Sequence, residues 1–225
     1  MHSSVILRFT VLALIVFISA VSAQQPLPTT PAQQPPTPPA LPRHHGGHHR
    51  GRHGRHRRNA ARFFGYHRSS DPNWATNQTL VSNEFLHAHN WVRTQYNLPN
   101  LTWDDNLAGY ARQYLTTDRY DDCKLIHSNA TYGENMFWGK KLHWTPSDAV
   151  YYWYIEKDAF DFNTLKCAPA SKMCGHFTQL VWRDTTRVGC ALQHCHVAGT
   201  GMLIACEYDP PGNYENENPL EVHAE

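Results

Sequence analysis

Six cysteines, sixteen histidines and nineteen carboxylate side chains are the residues of this 225-residue chain with chemistry to offer. The cysteines are Cys123, Cys167, Cys174, Cys190, Cys195 and Cys206. An even set behind a secretory leader reads as three disulfides formed in an oxidising compartment, and spacing alone allows fifteen connectivities. His176 stands two positions after Cys174. A neutral imidazole there can ligate zinc, or pair with a carboxylate for acid–base work. His44, His45, His48 and His49 form a second imidazole cluster, without the fixed geometry that metal selectivity needs. Asn77-Gln-Thr, Asn100-Leu-Thr and Asn129-Ala-Thr are acceptor sequons for N-glycosylation.

The stretch Cys174-Gly-His-Phe-Thr-Gln-Leu-Val-Trp182 holds His176 at its mouth. Its alternation, with β-branched and aromatic residues, predicts a strand. Residues 183–192 read as a turn and a second strand, and residues 202–208 as a third, ended by Asp209-Pro-Pro-Gly-Asn213. The expected sheet is small, antiparallel and cross-linked. Val81, Phe85, Ala88, Val92 and Tyr96 recur at spacings of three and four, which predicts a helix over 77–96, stopped by Leu98-Pro99. His87 and His89 on that helix read as packing or surface residues. Asp104 or Asp105 caps a second helix carrying Leu107, Ala111, Tyr114 and Leu115. Thr145-Pro146-Ser-Asp148 is a capping box with proline at the first helical position. On the helix that follows, Trp153 and Glu156 share a face, so Glu156 points toward whatever Trp153 packs against.

Ahead of this body the composition changes. Residues 1–23 combine Arg8, a short apolar run and the small residues Val21-Ser-Ala23, the pattern of a signal peptide too short to span a bilayer. Residues 24–42 form a Pro-rich linker. Residues 43–58 contain six Arg, six His and four Gly, with no acid and no apolar residue. We expect a disordered basic arm over 43–76, because such a composition buries no core. Residues 1–70 carry nine Arg and no acid, while 71–225 carry eleven Lys or Arg against nineteen acids. A near-neutral whole thus conceals an arm of +9 and a body of −8. The arm can be a solvated tail, or attach to acidic cell-wall polysaccharide or anionic lipid, the more so as its histidines protonate. The leader and the lack of interleaved aromatics argue against nucleic acid.

"CGHFTQLVW", "RVGCAL" and "CEYDPPGNY" resemble the signatures of the cysteine-rich secretory, antigen 5 and pathogenesis-related (CAP) superfamily, and the plant pathogenesis-related class 1 branch fits best. The resemblance spans about residues 77–219 and implies an α+β fold, a three-layer α-β-α sandwich (an SCP domain) over 77–220 with an acidic tail at 221–225. It selects the pairs Cys123–Cys195, Cys167–Cys174 and Cys190–Cys206. By motif, His127 ("LIHS"), Glu134 ("GEN"), Glu156 ("WYIE") and His176 match the histidines and glutamates that line the family's central cleft. That quartet can be a hydrogen-bonded structural cluster, a weak zinc site, or, through Glu134 and Glu156, a hydrolytic centre. A glycan on Asn129 would crowd its mouth. Family members bind sterol or other lipid, and here Phe137-Trp138 and 151–154 supply aromatics for a groove, or else core. Plant members carry "CNYDP" and can release the tail after it as a peptide. This chain has Cys206-Glu-Tyr-Asp209 followed by Pro210, with an altered, acidic end. The resemblance implies a monomeric, secreted, apoplastic antimicrobial protein that works by binding, with vacuolar sorting the lesser alternative. A metal-dependent hydrolase and a wall-attached module are the competing readings.

Overall fold

The computed structural model of the chain describes residues 57–170, 172–196 and 201–222, with side chains from residue 60 onward. The signal peptide, the Pro-rich linker and residues 43–56 of the arm lie outside the described residues, as do 223–225 of the tail. In chain order the elements are α1 (Arg57–Phe63), α2 (Gln78–Gln95), β1 (Thr102–Trp103), α3 (Asp105–Thr117), β2 (Gly133–Gly139) and α4 (Pro146–Ile155). A 3₁₀ turn (Glu156–Ala159), β3 (Phe160–Asp161), β4 (Lys166–Cys167), α5 (Gly175–Leu180), β5 (Arg187–His194) and β6 (Met202–Asp209) follow. Among the described residues no helix is long and apolar enough to cross a membrane.

The helices start where the sequence supplies acceptors. Asn77 takes the Leu80 amide at 3.3 Å, and one Asp104 oxygen takes the Asn106 and Leu107 amides at 2.8 and 3.1 Å. Thr145 and Asp148 cap α4 reciprocally, with Pro146 at the first helical position. The four-stranded sheet runs β1-β5-β6-β2. It is antiparallel except where the two-residue β1 pairs parallel to β5, a correction to the wholly antiparallel expectation.

Residues of β6 alternate faces as the pleat demands. Met202, Ile204, Cys206 and Tyr208 join a core with Phe85, Val92, Val150, Trp153 and Phe177 from α2, α4 and α5. Leu203 and Ala205 face Ala111, Tyr114 and Leu115 of α3. The sheet is therefore the middle layer of an α-β-α sandwich. A Cβ on Gly189 would stand 2.2 Å from the Ala108 amide nitrogen, so glycine sets how closely α3 crosses β5. The disulfides are Cys123–Cys195, Cys167–Cys174 and Cys190–Cys206, the last between directly paired strand residues.

Two expectations fail. Cys174–Trp182 is not a strand: Gly175–Leu180 is helical. Residues 177–182 are all buried, so the alternation carried no information about facing. Phe177, Leu180 and Val181, at the helical spacing, each have 0% exposure. Nor is 57–76 a disordered arm. Behind the basic run, Ala60, Ala61 and Phe64 are buried, and Phe63 sits 4.8 Å from Trp91 and 5.3 Å from Tyr151. His87 Nε2 donates to the Phe64 carbonyl at 2.8 Å. Four apolar residues at the arm's inner end bury enough surface to order what charge alone would leave solvated.

The same segment supplies the counter-ion of a core carboxylate. Glu84 is 1% exposed and accepts from Ser147 N, Ser147 Oγ and both Nε and a terminal nitrogen of Arg68. Arg68 also stacks over Trp74 at 5.1 Å. Removing one partner of a buried pair costs about 3–5 kcal/mol, because the other charge stays buried. We expect Arg68→Ala, or a chain that begins at Asn77, to lose stability of that order in urea unfolding, and Arg68→Ala/Glu84→Gln to recover part of it. A loss below about 0.5 kcal/mol for Arg68→Ala would show that the segment is not part of the folded body.

Candidate functional site

The four residues expected to share a cleft form two histidine–glutamate pairs. Glu134 is the second residue of β2. His127 lies in the loop after Cys123, which the Cys123–Cys195 bridge fixes at one end and the Tyr114 hydroxyl, donating to the Ile126 carbonyl at 2.6 Å, fixes at the other. His127 Nδ1 donates to Glu134 Oε1 at 2.5 Å, and the Ser128 amide donates to both carboxylate oxygens at 3.1 and 3.3 Å. The hydrogen bond to Glu134 holds the His127 imidazole above its ordinary range. Burial alone would raise Glu134, but the bonds from His127 and Ser128 outweigh it and keep the carboxyl low. Each partner thus favours the charged form of the other.

The second pair sits where α4 meets α5. Glu156 closes α4, and His176 is the second residue of α5, just beyond the Cys167–Cys174 bridge. His176 Nδ1 donates to Glu156 Oε1 at 2.7 Å and its amide donates to Oε2 at 3.1 Å. Trp153 stacks on the His176 ring at 6.2 Å and 22°. The shared face of Trp153 and Glu156 is thus the face that grips His176.

Asn135 connects these pairs to the core. Its amide donates to the His176 carbonyl at 3.0 Å and to the Tyr208 hydroxyl at 3.2 Å. Tyr208 then donates to His89 Nε2 at 2.9 Å, and His89 Nδ1 donates to the Phe85 carbonyl at 2.7 Å. The carbonyl sets the tautomer, and burial pushes His89 down to about 4, so this imidazole is neutral. His87 and His89 are structural, and Asn135 and Tyr208 are links that the motifs did not single out.

In both pairs the carboxylate takes Nδ1–H, which leaves Nε2 as the nitrogen for a ligand, the arrangement that orients histidine toward zinc. In each pair that chemistry suits one imidazole ligand to a cation. Among the described residues the quartet supplies no third ligand atom within 4.8 Å of two others. The group that does close at that distance, His89 with Cys190 and Cys206, has both sulfurs in a disulfide and both ring nitrogens bonded, so it offers no ligand.

Glu207 was missed. It pairs with Glu134 across β2 and β6, so both side chains share a sheet face. It is fully buried, neither carboxyl oxygen accepts from a protein N–H or O–H, and its one polar partner is the Glu134 carboxylate. Burial first, and the adjacent Glu134 charge second, push it up to about 9, so it stays protonated. The signal was Glu207 standing where the motif implied by the resemblance, "CNYDP", has asparagine.

The remaining candidates are dispersed. Asn77, Asn100 and Asn129 are exposed. Asp209 ends β6 with its carboxylate on Arg187, and the Pro210 carbonyl accepts from Thr185 Oγ1 at 2.9 Å. Beyond them Gly212 and Asn213 hydrogen-bond to Gln179, Thr178 and Gly175, so the tail is docked on α5.

The model of the Cysteine-rich secretory protein family (CAP) matches residues 86–208. "Pathogenesis-related protein PR-1" of Medicago truncatula is 45% identical over 137 residues, covering 61% of this chain and 78% of that protein. "Pathogenesis-related protein 1A" of Nicotiana tabacum is 43% identical over 136 residues, covering 60% and 79%. Among solved structures, venom allergen-like protein 4 of Schistosoma mansoni superposes with a TM-score of 0.50 at 25% identity, over 64% of this chain and 96% of that one. NaASP2 with Zn2+ gives 0.53 at 20% identity, over 68% and 90%, a likeness of fold alone.

The raised Glu207 fixes a sign. Folded protein keeps a proton that the unfolded chain releases above about 4.5, so this residue costs stability as pH climbs from about 4.5 toward 9. Glu207→Gln removes that cost and can donate to Glu134. We expect the variant to be more stable by about 1–3 kcal/mol at pH 8, with the gap closing by pH 4, in urea titrations across that range. A gap independent of pH would place the carboxyl proton elsewhere.

Proposed function

Because the chain belongs to the cysteine-rich secretory protein family, with pathogenesis-related class 1 proteins of plants among its relatives, we propose that it is a secreted defence protein that acts by binding sterol rather than by turnover. The observation that carries this reading is a cluster of rings at the surface where β2 meets α4. Phe137 lies 5.1 Å from Trp144 and 5.5 Å from Tyr152, and Trp144 lies 5.8 Å from Tyr152. Tyr152 is 45% exposed, and Phe137 and Trp144 are half-buried. Their neighbours Trp153 and Tyr154, by contrast, are 2% and 1% exposed and belong to the core. Trp144 meets the other two rings edge to face and Phe137 lies tilted on Tyr152, and such a cluster with exposed rings suits a flat apolar ring system with a polar tip.

A second reading rests on the histidine pairs. The Nε2 atoms of His127 and His176 would hold a divalent cation, with Glu134 and Glu156 fixing the rings through Nδ1. Such a cation would supply a Lewis acid. With two protein ligands the affinity is weak. A wall-attached role for the Arg/His arm, whose residues 43–56 lie outside the described structure, rests on charge alone.

Titration calorimetry separates these. A soluble sterol should bind the mature protein, and Phe137→Ala/Tyr152→Ala should weaken it at least about tenfold, or about 1.4 kcal/mol. His127→Ala/His176→Ala should leave sterol affinity unchanged and abolish zinc binding in a chain without residues 43–56. Growth inhibition of a fungus should be rescued by added sterol. Sterol affinity indifferent to the aromatic changes, or lost with the two histidines, would overturn the binding reading.

A further inference from the structure

The turn between β2 and α4 has a composition unlike the rest of the body. It reads Gly139-Lys-Lys-Leu-His-Trp144 and holds two lysines and no acid, on a body whose net charge from residue 71 onward is −8. Lys140, Lys141, Leu142 and His143 are all exposed. Large apolar groups flank them: Trp138 is 41% exposed, Leu142 50% and Tyr152 45%. Isolated exposed apolar residues are ordinary, but β2 ends the described sheet, and its pleat puts Trp138 on one face and Phe137, with Tyr152, on the other, so that with Leu142 on the turn they make an amphipathic rim at the sheet edge.

The turn is rigidly mounted. Trp144 is wedged between Phe137 and Tyr152, and an added Cβ on Gly139 would collide with the Trp144 indole. The Lys141 ammonium lies 5.5 Å from the centre of the Trp144 ring. The capping box of Thr145 and Asp148 holds the helix start immediately beyond. The exposed side chains are therefore presented by a fixed scaffold.

We infer that this turn is a membrane-docking surface, with Trp138, Leu142 and Tyr152 entering the interface of a bilayer and Lys140 and Lys141 meeting anionic phospholipid headgroups. Indole and phenol rings partition to the headgroup level, where an apolar body and a polar tip are both satisfied. Lysine lays its methylenes along apolar surface and keeps its charge among phosphates. The charge contrast selects an anionic partner, because elsewhere the acidic body is repelled from such a surface. This places the patch beside the ring cluster assigned to sterol above. It deepens that reading by giving the face that meets the bilayer, yet it does not require sterol.

The test uses the full mature chain and sterol-free vesicles of phosphatidylcholine and phosphatidylglycerol with brominated acyl chains, which quench only indoles that enter the bilayer. Wild-type fluorescence should be quenched on these vesicles and far less on pure phosphatidylcholine. Trp138→Phe should remove most of the quenching. Leu142→Glu should lower partitioning about tenfold at unchanged thermal stability, and Lys140→Gln/Lys141→Gln should reduce the preference for anionic vesicles. Equal quenching of wild type and Trp138→Phe would overturn the proposal, as would vesicle attachment without quenching, which the basic arm alone would give. Retention on pectin lost with the lysine changes, without quenching, would assign the patch to polysaccharide instead. Sterol affinity retained without quenching sinks this proposal and spares the sterol reading; quenching without sterol affinity does the reverse.

Discussion

The structure depends on a guanidinium buried without a carboxylate. Arg93, on the last turn of α2, has 0% exposure. Its five N–H groups meet five backbone carbonyls: Pro99 from Nε, Leu180 and Trp182 from one terminal nitrogen, and Arg183 and Thr185 from the other. Burial, with nearby Arg183 second, brings Arg93 down to about 10, so it remains charged at neutral pH. A planar fork of five donors satisfied one for one is a geometric template as well as a charge sink. It ties the end of α2 to the C-terminus of α5, where helix carbonyls lack partners and favour a cation. Any other placing of α5 or of the turn into β5 would leave donors bare in the core, at a cost larger than most single contacts supply.

What Arg93 fixes at one end of α5, the histidine network fixes at the other. Glu156 holds the first turn through the His176 amide and ring, and Asn135 takes the His176 carbonyl. A helix of six residues has little stability of its own. Its position is imposed by polar groups from α2, β2 and α4, and the docked tail adds Gln179 and Thr178 contacts along its side. The candidate site is therefore part of the fold's polar bracing. Each carboxylate accepts a backbone amide as well as an imidazole, so both are satisfied by protein alone, and the nitrogens left over for chemistry are the two Nε2 atoms.

Much of this was legible and some was not, for physical reasons. Helices α2 and α3 were readable because each buries one stripe, and α2, α3 and α4 all begin at a side chain that caps them: Asn77, Asp104 and Thr145. Strands β5 and β6 were readable from short, largely apolar runs bounded by turn residues. Helix α5 was not, because a fully buried segment shows no contrast between its faces and the alternation that suggested a strand was chance. The ordering of residues 60–68 was hidden behind the arm's charge; the apolar pair Phe63-Phe64 and the lone Arg68 take their meaning from Trp91 and Glu84, which lie far along the chain. The two histidine–glutamate pairs were reachable only through motif resemblance, since no local rule joins a loop residue to a strand residue 7 apart or the ends of two helices 20 apart.

Glu207 shows how one substitution alters a site without touching its ligand atoms. A strand position in the middle of a buried face tolerates a carboxyl only when it is neutral. Its partner across the ladder, Glu134, is kept ionised by His127 and Ser128, and two charges side by side in that setting exclude each other. The proton on Glu207 is therefore a condition for the charge on Glu134, and the hydrogen bond that Glu134 accepts, with its charge, is in turn what raises His127. An asparagine at the same place would present an amide to Glu134 at every pH. With glutamic acid the pairing of His127 and Glu134 is coupled to protonation of a residue that solvent does not reach. The electrostatics of the His127–Glu134 pair are thus set from within the sheet rather than from its surface.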